Sequence, residues 1–251
     1  MSRYFSSVLY ILLLLVTCVA FLAIAGVRVG IFEPLTGFSM LRNSVWAALF
    51  LSFLAVLAMV LCRREHNLAS QRFSMAVLLV SLSYSLGWIG FYFDKAALPN
   101  INDITTDTDN PPAYINVNFL RRSSENSLTY NHEWAAIQAK YYPRVQPLVV
   151  NQDREQVYQQ AVQLVRDLGW DMVAQYPGAG VIEATARTPV FGFRDDVIIR
   201  VKEVDGSIRI DMRSSSRVGH GDYGENATRI VNYLSQLSQR LKRSPTLNYR
   251  N

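Results

Sequence analysis

The stretch RTPVFGFRDDVIIRVKEVDGSIRIDMRSSSRVGHGDYGENATR, residues 187–229, decides how the rest of the chain is read. It holds two alternating runs, Asp195 to Glu203 and Ser207 to Ser215, on either side of Asp205-Gly206. Asp-Gly between such runs signals a two-residue hairpin, because both central positions of that turn need positive φ. The turn sets a register that places Val201 opposite Ile210, Ile199 opposite Met212 and Arg200 opposite Asp211. Apolar side chains then fall on one face and charged ones on the other, as a half-buried antiparallel sheet requires.

Upstream, Trp170 to Tyr176 and Val181 to Thr188 read as two more strands, turned at Pro177-Gly178-Ala179-Gly180, with Ile182, Ala184 and Ala186 on one side. Before them, Asp153 with Gln156 three residues on has the form of a capping box. Val157, Ala161, Leu164 and Leu168 recur on one helical face, and Gly169 offers a stop. Downstream, Asp222 and Glu225 suit the start of a last helix whose buried stripe is Ile230, Leu234, Leu237 and Leu241. A shorter helix is expected from Trp134 to Tyr142, ended by Pro143. Strands grouped between helices predict an α+β two-layer domain over residues 132–243, an antiparallel sheet of about four strands packed on two helices, followed by a tail at 244–251.

Three charge-free apolar windows precede this domain: Tyr4 to Val27, Asn43 to Cys62 and Phe73 to Phe93. Each is near the ~20 residues that cross a hydrocarbon core as a helix, so residues 1–93 read as a membrane domain with three transmembrane helices. Arg63, Arg64 and Arg72 crowd the second connecting loop, and Arg3 precedes the first helix. That bias puts the N-terminus and second loop in the cytoplasm and everything after Phe93 outside, as a periplasmic or extracytoplasmic domain. Trp88, Tyr92 and Phe93 suit the outer interface. Ala23-Ile24-Ala25 resembles a cleavage site, yet the apolar run is long enough to span as an uncleaved anchor.

Residues 94–131 are rich in Asp, Asn, Pro, Ser and Thr and read as a linker without a regular interior element. Asp103, Asp107 and Asp109 lack the spacing and closing Glu of an EF-hand loop.

The net charge is +5, but six basic and two acidic residues precede Asp94, leaving nineteen and eighteen from Asp94 onward. The basic excess belongs to the membrane segment, and a nearly neutral domain is a poor duplex-binding face, so no nucleic-acid partner is expected. The two cysteines, Cys18 and Cys62, lie in apolar runs, which leaves the domain without a disulfide framework or a cysteine metal site.

Three constellations carry chemistry. Ser214, Ser215 or Ser216 with His220 and Asp222 has the residue types of a hydrolase triad, without a G-x-S-x-G elbow. His220, Asp222 and Glu225 supply too few imidazoles for a convincing metal site, so neither metal nor cofactor is expected. Arg187, Arg194, Arg200, Arg209, Arg213 and Arg217 are the more telling group, since Arg200, Arg209 and Arg213 share the polar face in the expected register and the neighbouring strand can add Arg187. Guanidinium groups bind carboxylate or phosphate through paired donors. A solvated face neutralised by Glu183, Asp195, Asp196 and Asp211 is the plainer reading; an anion or partner site is the sharper one, with His220 and Asp222 contributed by the glycine-rich loop before the last helix.

Five segments in order also carry a resemblance: Ile104-Thr-Thr-Asp-Thr-Asp-Asn-Pro-Pro112, Tyr142-Pro-Arg-Val-Gln-Pro-Leu148, Ile182-Glu-Ala-Thr-Ala186, Phe191-Gly-Phe-Arg-Asp-Asp-Val197 and Arg213-Ser-Ser-Ser-Arg-Val-Gly219. Together they resemble the domain-of-unknown-function 1499 family over roughly Pro99 to Lys242. The resemblance implies a bacterial protein with membrane helices ahead of the domain, and it implies no reaction and no catalytic residues. The expectation is therefore a multi-pass envelope protein in the lipid bilayer, leaning away from enzyme, whose external domain binds a partner protein or an anionic envelope component. The rival readings are a hydrolase-like enzyme using the loop 214–225 and a structural membrane subunit.

Overall fold

In the computed structural model, residues 2–243 are described; the expected tail at 244–251 lies outside them, as do the side chains of Ser2 and Arg3. Loop residues 189–192 aside, the chain divides into a helical unit up to Ala97 and an α+β unit from Leu98 onward.

The helical unit consists of α1 (Ser2–Arg28), α2 (Pro34–Arg64) and α3 (Leu68–Ala96). Each is long and apolar enough to cross a membrane. Most of their large apolar side chains face outward, while serines line the contact between α2 and α3. Ser52 and Ser81 hydroxyls meet at 2.7 Å, Ser44 meets the Tyr84 hydroxyl at 2.7 Å, and Ser85 donates to the Val45 carbonyl. Where lipid is as apolar as leucine, small side chains and interhelical hydrogen bonds are what favour helix association.

The second unit contains β1 (Asp103–Thr105), α4 (Trp134–Tyr141), β2 (Leu148–Val150), α5 (Arg154–Asp167), β3 (Asp171–Tyr176), β4 (Val181–Arg187), β5 (Arg194–Val204), β6 (Ser207–Ser216) and α6 (Glu225–Arg243). The sheet is antiparallel throughout, in the order β1-β6-β5-β4-β3, and β2 also pairs with β6. Asp205 and Gly206 have φ of 51° and 75°, and Val201↔Ile210, Ile199↔Met212 and Arg200↔Asp211 pair as the turn demands. Gly180 is constrained more tightly still. It has φ +68°, and a Cβ there would lie 2.1 Å from the Val201 carbonyl oxygen.

One face of the sheet buries Ile182, Ala184, Val197, Ile199, Val201, Ile210 and Met212 against α5 and α6. The Asp153 carboxylate caps α5, accepting from the Gln156 N–H at 2.9 Å. The stripe Ile230, Leu234, Leu237 and Leu241 of α6 is buried as its spacing requires.

The α+β fold is as expected, with six strands among the described residues where about four were expected. One expectation needs correction: residues 101–106 of the expected linker are interior. Polar composition suggested a loop, but each polar group there finds a partner. Thr105 exchanges two hydrogen bonds with the Gln138 amide, the Thr106 N–H donates to Met212, and Asn102 accepts from the Ser216 N–H. A short polar strand is buried at little cost when its bonds are satisfied. The following residues, 107–131, cross the charged face as a strap, with Tyr114 and Val117 packed on Ile198.

Candidate functional site

The centre of the arginine face is sealed from solvent. Arg200 of β5, Arg213 of β6 and Arg217 just past β6 lie on one side of the sheet, and all three are buried beneath the strap. Arg213 holds Asp103 through Nε at 2.9 Å and Nη2 at 2.6 Å, and also donates to the Pro112 and Leu128 carbonyls. The Tyr114 and Tyr130 rings flank its guanidinium at 5.0 and 5.5 Å. Burial pushes the Asp103 carboxyl up against the pull of Arg213, and it pushes the Tyr130 hydroxyl up to about 12. Arg217 grips Asp196 at 2.8 and 3.0 Å, and Arg200 bridges Asp107 at 2.8 Å and Asp211 at 3.0 Å. Arg209 is a third exposed and reaches the same two acids, at 3.0 Å to Asp211 and 3.5 Å to Asp107.

Several of these partners had no signal in the sequence, and Glu183 and Asp195, expected to neutralise the arginine face, are engaged elsewhere. Arg121 comes from the strap to Asp196 at 2.8 Å, and the Glu183 carboxylate accepts from the Ile115 and Asn116 N–H groups. Arg229 of α6 pairs with Asp195 on the opposite face. Their partners are 34 to 75 residues away in sequence, so no local spacing marks them. The aspartates weighed above as calcium ligands, Asp103 and Asp107, instead hold arginines.

The loop after β6 goes elsewhere. Asp222 is buried and caps α6, accepting from the Gly224 N–H at 2.9 Å and the Asn226 N–H at 2.7 Å; Glu225 occupies the first helical turn. Burial raises the Asp222 carboxyl to about 6 despite those two donors. Ser214 donates to Asn226 at 2.7 Å, Ser216 accepts from the same amide, and His220 is exposed. Among the described residues no hydrogen bond joins His220 to Ser214, Ser215, Ser216 or Asp222, so the triad geometry is not assembled.

The open feature lies at the other edge of the sheet. A groove of about 770 Å³ runs between β3 and the strap, lined by all six residues of β3 together with Phe119, Leu120, Arg187 and Arg194. Phe119 is 86% exposed at its lip. Arg187 and Arg194 are direct cross-strand partners on β4 and β5. Arg187 is paired with Asp171 at 3.0 Å, whereas no acid partners the Arg194 guanidinium among the described residues. Of the arginines singled out in sequence, Arg187 and Arg194 border both the groove and solvent; Arg217 borders it too but is committed to Asp196.

The chain matches, over residues 103–237, the family described as "Protein of unknown function (DUF1499)". The match begins at β1, inside the segment expected to be a linker, and ends within α6, so it covers the sheet, the strap and both packing helices. No curated protein matches the chain. With more than half its length matched, the chain belongs to the DUF1499 family.

Proposed function

We propose that this protein is a membrane-anchored binding module of a bacterial cell envelope, its α+β domain displayed on the far side of the membrane from the N-terminus. The arginines Arg63, Arg64 and Arg72 around the α2–α3 connection support that orientation, since such residues accumulate on the cytoplasmic side. The observation that carries the binding role is the open groove between β3 and the strap, which leaves Phe119 exposed and Arg194 unpaired. The rest of the charged face is occupied by its own ion pairs, so the partner docks at the groove. Of the arginines on this face, Arg187 and Arg194 border the groove and stay exposed, while Arg200, Arg213 and Arg217 hold the strap that forms one wall.

Site-specific photo-cross-linking in intact cells tests this reading. A photoreactive phenylalanine analogue at Phe119 should give a discrete adduct, and the same analogue at Gln239, exposed on α6, should not. No adduct at Phe119, or equal adducts at both positions, would refute the assignment. The orientation has its own check in a chain lacking Cys18 and Cys62. A cysteine at exposed Ser127 should react with an impermeant thiol reagent in intact cells while one at exposed Ala69 is protected; the reverse pattern would invert the topology.

A further inference from the structure

We infer that the groove takes an extended polypeptide segment, added antiparallel to the free edge of β3, with an acidic group near its C-terminal end held by Arg187 and Arg194. The inference rests on the binding-module reading and names the chemistry of the partner.

Three observations carry it. First, side chains of a strand alternate between faces, yet every residue from Asp171 to Tyr176 lines the groove. That happens when the backbone edge is itself the wall. Second, among the described residues β3 pairs only with β4, so its outer edge carries no strand of theirs. A row of backbone donors and acceptors is matched best by another polypeptide backbone. The strand spans about 17 Å at ~3.3 Å per residue. The bulge between Met172 and Ala174 tucks Val173 toward the Tyr114, Val117 and Ile198 cluster. Bulges shorten the pairing an edge can support, so the docked segment is short and registers on Ala174 to Tyr176.

Third, charge sets the direction. Arg187 and Arg194 face each other across β4 and β5, an arrangement that is unfavourable for like charges unless an anion lies with them. Asp171 neutralises one of the two. Thr185 pairs with Asp171, and Arg187 lies two residues beyond it, so the arginines flank the Asp171 end of the groove. A strand antiparallel to β3 runs from the Tyr176 end to the Asp171 end. Its C-terminal part, as a side-chain or terminal carboxylate, therefore meets guanidinium groups whose paired donors suit carboxylate.

The test uses the full chain in nanodiscs of neutral phosphatidylcholine, panned against a displayed library of random ten-residue peptides. Enriched sequences, synthesised with a fluorescent label, should carry Asp, Glu or a free carboxylate at a fixed position near the C-terminal end. Arg194→Glu should weaken their binding at least tenfold, with thermal unfolding unchanged because Arg194 is exposed, and Arg209→Ala should leave it unaltered. N-methylation of alternate peptide residues should abolish binding, and methylation of the intervening ones should not. The proposal is overturned if no sequence is enriched, if Arg194→Glu binds equally well, or if the N-methyl pattern shows no alternation. It is equally overturned if phosphatidylglycerol vesicles displace the peptides through Arg194, which would assign the site to lipid, or if the Phe119 adduct is a second copy of this chain. A Phe119 adduct to another molecule without any peptide binding refutes strand addition and leaves the binding module standing; absence of both refutes both.

Discussion

Arg213 and Asp103 are 110 residues apart in sequence and joined by two hydrogen bonds, Nε to Oδ1 at 2.9 Å and Nη2 to Oδ2 at 2.6 Å, in the interior of the domain. Asp103 is the first residue of β1, and Arg213 is on β6, the strand that β1 pairs with. The pair therefore locks the start of the domain to the sheet, and Arg213 reaches on to the Pro112 and Leu128 carbonyls of the strap.

That arrangement makes the two arginines of β6 unequal. Arg213→Ala leaves a buried carboxylate and two strap carbonyls unpaired, and should cost about 3–5 kcal/mol. Arg209→Ala removes a partly exposed pair and should stay within about 1 kcal/mol. Urea unfolding of a soluble fragment spanning 98–251 measures both. Equal effects would mean the strap does not depend on the Asp103 pair. A solvated arginine face would make both replaceable at little cost; burial reverses that for Arg213.

The boundary of the domain is tested by truncation. A fragment from Leu98 should fold without lipid, because its sheet, strap and helices have their own core. A fragment from His132 lacks β1 and the strap, exposing Arg200, Arg213 and Arg217 with their acids, and should fail to give a cooperative transition. Cooperative unfolding of the shorter fragment would restore the reading of 94–131 as a linker.

Glycines at two turns should respond in different ways. Gly206→Val forces a β-branched residue to positive φ in the hairpin and should cost more than about 1 kcal/mol, although a Cβ there meets open space. Gly180→Ala adds a collision with the Val201 carbonyl to the same kind of strain, and should cost more than Gly206→Ala. A ranking in the opposite order, from urea midpoints, would remove the close approach of the β3–β4 turn to β5 as an explanation.

Acidity should act through Asp222. Its carboxyl is raised from the ordinary 3.8 to about 6, mainly by burial, so the folded state holds that proton more tightly than the unfolded state. The stabilisation is complete below about pH 4 and is lost as pH rises through about 6, an effect on the order of 3 kcal/mol. Asp222→Asn keeps an oxygen for the α6 cap and removes the titration. The difference in stability between wild type and variant should therefore change across pH 4–6 and be level above pH 7. A constant difference throughout would show that the cap holds Asp222 ionised.

How much of this was legible beforehand follows from the range of each interaction. The three apolar helices, the Asp205-Gly206 turn with its register, the cap at Asp153 and the stripe of α6 all depend on residues within a few positions of one another. Periodicity and turn chemistry therefore determined them from the sequence alone. The burial of Arg213, the conversion of an Asp- and Asn-rich segment into β1 and a strap, and the exposure of His220 depend on partners that local patterns do not connect. Whether a charged side chain is solvated or sealed is decided by what covers it, and here the cover is a segment whose own composition reads as loop. The same cover leaves an opening beside β3, where Arg194 stands opposite Arg187. Only the tertiary structure could separate that pair from the buried arginines, because in sequence all of them are arginines in or beside neighbouring strands of one sheet.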